Sequence, residues 1–318
     1  MMQCDSVVPP PEVKRIAALW GVELVERTHT RYSQTWFGRR GSEHVVVKVG
    51  GTEARRREAA ALRAYAHAHD RPARVAQSPA AAPDTDPPIA AGLIAEAEGA
   101  LLLERILLGD DLRPLAASDD DAATATAGSS YARMHAAVAG VPRPDDLPDL
   151  RRVADAFDVY DARDTTAPSG RNPLPADLVA RARDILDELS MPADSDIVLH
   201  GDAHHQNLLR QGFGDQRDTW RVIDPHGWWG DPTFDSVALM LNLHGSLAMS
   251  RRDSSDLVSQ ARRRASILAD TAGVDPSRLL AWTFVGGIIA ELWCLADHGF
   301  VQGGPLKLAA ALHGAGLA

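Results

Sequence analysis

Lysine is nearly missing from this chain. Of 33 basic residues in 318, three are lysine (Lys14, Lys48 and Lys307), which leaves thirty arginines. A codon bias toward arginine and alanine accounts for the ratio as a whole, so each surviving lysine has to be explained by its own surroundings. Cysteine is almost as scarce. Cys4 and Cys294 cannot build a disulfide framework or a four-thiolate zinc site, and a reduced, cytoplasmic protein is the expectation. A basic excess is also absent: 43 acidic residues give a net charge of −10, which argues against a nucleic-acid partner and suits a cationic ligand. The first residues, Met1-Met2-Gln3-Cys4-Asp5, lack the basic and apolar regions of a signal peptide. The longest apolar run, 282–296, falls short of the roughly 20 residues a span requires and contains Glu291, so no membrane partner is expected. There is no internal repeat, and nothing in the composition implies a protein partner.

Length allows one large domain or two lobes. After the prolines at 9–11, residues 13–19 read as a short helix leading into strands. His44-Val45-Val46-Val47-Lys48-Val49 is a β-branched run closed by Gly50-Gly51, which predicts a strand and a turn with Lys48 inside the strand. Residues 53–69 are strong helix formers, with Ala54, Ala61, Leu62 and Tyr65 on one stripe and Arg55-Arg56-Arg57 on the other sides. The proline-rich stretch 72–88 reads as an irregular connection. Residues 89–97 and 100–106 form a hairpin around Glu98-Gly99. The segment 107–111 reads as a linker, so a lobe boundary is placed there, dividing the chain into 1–106 and 107–318. Beyond it the sequence predicts helices at 119–137, 151–162 and 175–189, interrupted by two short strands.

Those two strands carry the chemistry. Ile197-Val198-Leu199 runs into His200-Gly201-Asp202-Ala203-His204-His205-Gln206-Asn207, and Trp220-Arg221-Val222-Ile223 runs into Asp224. A strand ending in His-x-Asp, an Asn five positions later and a second strand ending in Asp resemble the catalytic loop and metal-binding aspartate of protein-kinase-like phosphotransferases. On that likeness Asp202 orients the acceptor hydroxyl and takes its proton, while Asn207 and Asp224 supply the hard oxygens that Mg²⁺ requires. His200 braces the loop. Lys48 then acquires a role as the N-lobe lysine that holds nucleotide phosphates, with Glu58 on the following helix as its partner and Glu53 as second choice. Arginine, a broad fork, is a poor substitute for a compact ammonium at such a position.

More specifically, 199–207 and Val222-Ile223-Asp224-Pro225-His226-Gly227-Trp228-Trp229-Gly230-Asp231-Pro232-Thr233-Phe234-Asp235 resemble the aminoglycoside phosphotransferase family and its streptomycin 6-kinase branch. The double histidine after the catalytic Asp and the Ile-Asp-Pro-x-Gly segment carry the likeness, which is specific over 197–240 and loose elsewhere. It implies an α+β, two-lobed, protein-kinase-like fold. The N-lobe, 1–106, has an antiparallel sheet and one helix and binds nucleotide. The C-lobe, 107–318, is larger, mostly helical and holds the acceptor. The implied reaction transfers the γ-phosphoryl group of ATP or GTP, with Mg²⁺, to a hydroxyl of an aminoglycoside such as streptomycin, or of another amino sugar.

One family-level element is absent. No Gly-x-Gly-x-x-Gly loop occurs; the corresponding turn is 28–35, where Ser33 or Thr35 and backbone N–H groups would meet the phosphates. The resemblance further places adenine against the backbone of Glu104-Arg105-Ile106 and makes Asp235 a structural brace of the catalytic loop. A cationic acceptor calls for acidic and aromatic surroundings. Trp228, Trp229, Glu291, Asp297 and His298 are candidates, whereas Trp293 reads as core packing on a helix whose other aromatic and aliphatic residues are buried. Two other classes share parts of the pattern. Metallophosphoesterases use Gly-Asp and Asp-x-His elements, but in an order this chain lacks. A nucleotide-binding module without catalysis would not need every catalytic position filled, as it is here.

Overall fold

The computed structural model describes residues 8–28, 34–70, 88–163, 172–191, 195–213, 216–242 and 252–318. Ser33 and most of the proposed phosphate turn, together with nearly all of the 72–88 connection, lie outside the described residues.

Helix α1 (Pro11–Leu19) precedes strands β1 (Glu23–Arg27), β2 (Gln34–Arg40) and β3 (Glu43–Val49), then α2 (Thr52–Asp70), β4 (Leu93–Ala97) and β5 (Ala100–Glu104). The five strands form one antiparallel sheet in the order β1-β2-β3-β5-β4. Alternation fixes its two faces. Val45, Val47 and Val49 are buried with Trp36, Leu102 and α1 in a small core, while Lys48 leaves β3 on the opposite face. Gly99, at φ +68°, closes the β4–β5 hairpin where the sequence places its turn.

The segment 107–111 is not a linker. Leu108–Asp111 is strand β6 and pairs antiparallel with β8 (Leu208–Phe213), which in turn pairs with β9 (Gln216–Val222). Consecutive left-handed residues, Leu108 at φ +68° and Gly109 at φ +67°, give this strand the look of a turn in sequence. A further pair, β7 (Ile197–Leu199) and β10 (Trp228–Gly230), aligns Leu199 with Trp228. The two strands expected beyond residue 107 are thus five among the described residues.

The helices of this half are α3 (Arg113–Ser118), α4 (Asp120–Val138), α5 (Asp155–Asp161), α6 (Ala176–Leu189), α7 (Val237–Leu241), α8 (Ser254–Ala272), α9 (Pro276–His298) and α10 (Gly304–Gly314). Asp119 caps α4, accepting from the Ala122 N–H at 3.0 Å. The helix expected over 151–162 begins instead as a 3₁₀ turn, Leu150–Ala154. Helix α9 is long and apolar enough to cross a membrane by length and composition, yet 78% of its most apolar stretch is buried inside this fold. The large core gathers α4, α6, α8, α9 and α10. It also includes Ala59, Ala60, Leu62, Ala64 and Tyr65, so the apolar face of α2 belongs to the helical half while the helix itself lies in chain order between β3 and β4 of the N-terminal sheet.

Candidate active site

Strand β7 delivers His200 to the end of a buried β-pair, and hydrogen bonds then fix the loop that follows. The His200 ring is fully buried. Its Nδ1 accepts from the Asp202 N–H at 3.2 Å, so Nε2 carries the proton and donates to the Ile223 carbonyl at 2.9 Å. Burial pushes the imidazole pKa down and keeps it neutral. The His200 carbonyl accepts from the N–H groups of His226 and Gly227, at 2.8 and 3.2 Å. Gly201 is left-handed at φ +78°, and a Cβ there would lie 2.4 Å from Trp228 Cδ1, so no side chain fits. Its N–H donates to Asp235 at 2.7 Å, and the other oxygen of that buried carboxylate meets His135 Nε2 at 3.0 Å. Asn207 ties the loop closed, donating from Nδ2 to the Asp202 carbonyl at 2.8 Å, and the Tyr131 hydroxyl donates to the Ala203 carbonyl.

From the opposite wall, Lys48 reaches both Glu58 and Asp224. Its Nζ lies 2.7 Å from Glu58 Oε1 and 2.5 Å from Asp224 Oδ1. Glu58 is buried and also paired with Arg55, whereas Glu53, the alternative partner, is exposed. Burial pushes the Glu58 pKa up, against the pull of Lys48. Asp224 adopts φ +58°, a conformation rare for residues other than glycine and tolerated best by Asn and Asp.

The two aspartates are driven apart electrostatically. Burial, and then the charge of Asp224, push Asp202 up to about 7. Burial would raise Asp224 as well, but the charge and hydrogen bond of Lys48, with Arg55 and His226, outweigh it and hold this carboxyl at about 2. One carboxylate therefore titrates near neutral pH while the other stays charged, the kind of split that a proton acceptor and a cation ligand would require. His204 and His226 flank the first, each with Nε2 3.6 Å from Asp202 Oδ2. Burial lowers the His204 imidazole to about 4, so it is neutral at pH 7; the His226 imidazole is drawn in the same direction, with 57% of its side chain exposed. His204 Nδ1 also accepts from the Gln206 N–H at 3.1 Å and so caps the short turn that carries Asn207.

The residues present fit a nucleotide-bound Mg²⁺. Asp224 is ionised and 40% of its side chain is open to solvent, and the Asn207 Nδ2 is committed to Asp202, which leaves the amide oxygen as the group able to ligate. Among the described residues no three His, Cys, Asp or Glu side chains converge as a metal site of their own. The remaining positions would fall to phosphate oxygens and water, the usual manner of Mg²⁺.

Lys48, Glu58, Asp202, Asn207, Asp224, His200 and Asp235 are thus brought together. Other candidates are placed differently. The Glu104 side chain is bound by Arg221, at 2.8 and 2.7 Å, and by the Gly92 N–H at 3.1 Å; Ile106 is buried where the chain leaves the sheet for β6. Trp228 touches the catalytic loop, but one face of its ring is covered by Arg57. Glu291 is not an acceptor ligand. It is fully buried and accepts the N–H groups of Gln302, Gly303 and Leu306 at 2.7, 2.8 and 3.2 Å, a carboxylate that caps the start of α10. Asp297 lies exposed at the end of α9, and Trp293, expected in the core, is 41% exposed. The reading from sequence missed Arg57, Arg221, Tyr131, His135 and His226. The last stands inside the quoted motif and was available there, two residues after Asp224. The others act over separations of 72 to 170 residues, which local pattern does not reveal.

Comparison with known proteins gives the family. The profile of a family described as aminoglycoside/hydroxyurea antibiotic resistance kinase matches residues 89–298, well over half of the chain. The chain belongs to that family. Membership makes it a phosphotransferase. Relatives include a streptomycin 3''-kinase of Klebsiella pneumoniae, 33% identical over 209 residues, which are 65% of this chain and 71% of that one. A streptomycin 6-kinase of Streptomyces glaucescens is 30% identical over 67% of this chain and 64% of its own length, slightly under two thirds. A hydroxyurea phosphotransferase of Kitasatospora aureofaciens is 30% identical over 63% of this chain and 52% of its own. Among solved structures, choline kinase LicA from Streptococcus pneumoniae superposes with a TM-score of 0.60 at 13% identity, covering 96% of this chain and 97% of that one. A thermostable mutant of aminoglycoside phosphotransferase APH(4)-Ia with ADP and hygromycin B gives 0.57 at 16%, covering 95% and 97%. These likenesses show the kinase-like fold.

Proposed function

We propose that this kinase transfers the γ-phosphoryl group of ATP, or of GTP, to a hydroxyl of a streptomycin-type aminoglycoside. The observation that carries the reading is geometric: Lys48, held by Glu58 at 2.7 Å, reaches Asp224 at 2.5 Å, and Asn207 closes the neighbouring loop on the Asp202 carbonyl at 2.8 Å. Asp202 orients the acceptor hydroxyl and receives its proton as the oxygen bonds to the γ-phosphorus and the bond to the β–γ bridging oxygen breaks. Asn207 and Asp224 would hold Mg²⁺, which when bound neutralises charge on the phosphates. Lys48, oriented by Glu58, supplies a compact positive charge on the same side. The neutral ring of His204 borders the space in front of Asp202 without adding positive charge there, so a cationic acceptor is not repelled by it. The net charge of −10 favours such an acceptor at longer range.

Relatives named for both the 3'' and the 6 position of streptomycin support the acceptor class. Within it we place the transfer at the 6 position, the branch that the motif over 199–235 resembles, with resistance to the drug as the consequence. Hydroxyurea is the second reading, supported by the relative that bears its name. Incubation with Mg²⁺, ATP or GTP and a panel of streptomycin, other aminoglycosides, amino sugars and hydroxyurea, read by mass spectrometry, tests this. A streptomycin product one phosphate heavier is expected, and its phosphorus–proton NMR couplings identify the hydroxyl. Phosphorylation of a different panel member with streptomycin untouched would remove the specific reading.

A further inference from the structure

Helix α2 meets the rest of the site at two adjacent residues. Glu58 turns back to Lys48. Arg57, about 100° round the helix, turns the other way. Its Nε donates to the Gly227 carbonyl at 3.1 Å, and its guanidinium carbon lies 4.2 Å from the centre of the Trp228 ring. The helix backbone comes equally close, since a Cβ on Gly227 would stand 2.7 Å from the Arg57 carbonyl oxygen. The same indole touches Gly201 through Cδ1, where a Cβ would stand 2.4 Å away. Guanidinium, indole and glycine therefore form a continuous line of contact from α2 to the peptide immediately before Asp202. Asp224 begins the short segment that Trp228 ends, and Lys48 holds that first residue at 2.5 Å. Strand β3 of the N-terminal sheet and the helix that follows it thus grip the segment 224–228 at both ends.

We propose that Arg57 is a positioning residue for phosphoryl transfer, setting the catalytic loop relative to Asp224 and Lys48 through Trp228 and Gly227. This rests on Asp202 and Asp224 having the roles proposed above. Arginine suits the place because one planar group both donates to a carbonyl and lies flat on an indole; lysine can do only part of this. Trp228 is then a link between lobes, with one ring face already occupied, and not an open platform for the acceptor. The neighbouring Arg56 is exposed and serves as control.

The test compares Arg57→Ala, Arg57→Lys, Trp228→Ala, the double variant Arg57→Ala/Trp228→Ala, and Arg56→Ala. Each is read by steady-state kinetics, thermal melting and amide hydrogen exchange of peptides covering 199–207 and 223–230. Arg57→Ala is expected to lower kcat by about ten- to a hundredfold, the scale for displaced catalytic groups, with a much smaller change in nucleotide KM. Exchange in both peptides should quicken. Trp228→Ala should match it, the double variant should be little worse than either single change, and Arg57→Lys should recover part of the loss. Arg56→Ala should behave as the unaltered chain. Unchanged kcat and exchange in Arg57→Ala, or losses in the double variant that simply multiply, would overturn the proposal. Should Arg57→Ala not fold, Arg57→Lys and Trp228→Ala carry the same comparison. If the unaltered chain transfers phosphate to no acceptor, the kinase reading fails, and the exchange measurement still decides the link on its own.

Discussion

Asp202 sits where ionisation is costly, and that cost has a measurable sign. Its pKa rises on folding from an ordinary value near 3.8 to about 7, so the folded chain holds this proton more tightly than the unfolded chain does. The penalty is absent below about pH 4, grows between the two values and is complete above pH 7. Its upper limit is about 4 kcal/mol at 1.36 kcal/mol per unit. Solvent reduces that figure, because 32% of the side chain is exposed. Asp202→Asn, without Mg²⁺ or nucleotide, should therefore melt about 2–5 °C higher than the parent at pH 8, with the gain shrinking toward pH 4. A variant that melts lower at pH 8 would contradict the assignment. Residue by residue, the sequence was most readable where a rare type occupied a patterned position. Lys48 stood out because lysine is scarce and the strand around it is β-branched. Glu291 misled for the opposite reason: a carboxylate among aromatics looks like a ligand site, and the three N–H groups that satisfy it lie 11 to 15 residues further on.

Between elements, buried arginines make connections that the helical and strand periods do not announce. Arg221 is 1% exposed and joins three pieces: both oxygens of Glu104 at the end of β5, the Ala90 carbonyl at 2.5 Å and Gln211 on β8 at 2.7 Å. Removing it strands Glu104 and a buried carbonyl, and losing one partner of such a pair costs about 3–5 kcal/mol when both are buried. Glu104 keeps 38% of its side chain in solvent, so Arg221→Met is expected to lose about 2–3 kcal/mol in urea unfolding, and Glu104→Gln less. Equal stability of Arg221→Met and the parent would show that the cluster contributes nothing. The linker reading of 107–111 failed at this scale. A strand that begins with two left-handed residues carries turn chemistry in its sequence, and only its pairing with β8 makes it a strand. The arginine run at 55–57 lies off the apolar stripe, yet Arg55 pairs with Glu58, Arg57 covers Trp228, and Arg56 alone of the three is exposed.

Across the whole molecule, Lys48 on β3 and Asp224 just beyond β9 lie 176 residues apart in sequence, and folding brings them to within a hydrogen bond. The packing explains how. The apolar face of α2 is part of the helical core, so the helix that carries Glu58 and Arg57 is seated on the catalytic half while its chain neighbours, β3 and the hairpin of β4 and β5, form the sheet above. Family membership and the two-lobed architecture were legible from the motif over 197–240, because that stretch concentrates residues whose spacing is set by chemistry. The acceptor side was not legible, since recognition of a cationic sugar draws on surface carboxylates and aromatics that no fixed spacing marks. The most direct test of the proposed mechanism is therefore Asp202→Ala, assayed side by side for nucleotide binding by calorimetry with Mg²⁺ and for phosphoryl transfer to streptomycin. Nucleotide affinity close to that of the parent with transfer reduced by about 10²–10⁴-fold is the predicted result. Transfer at the parental rate in Asp202→Ala would contradict it.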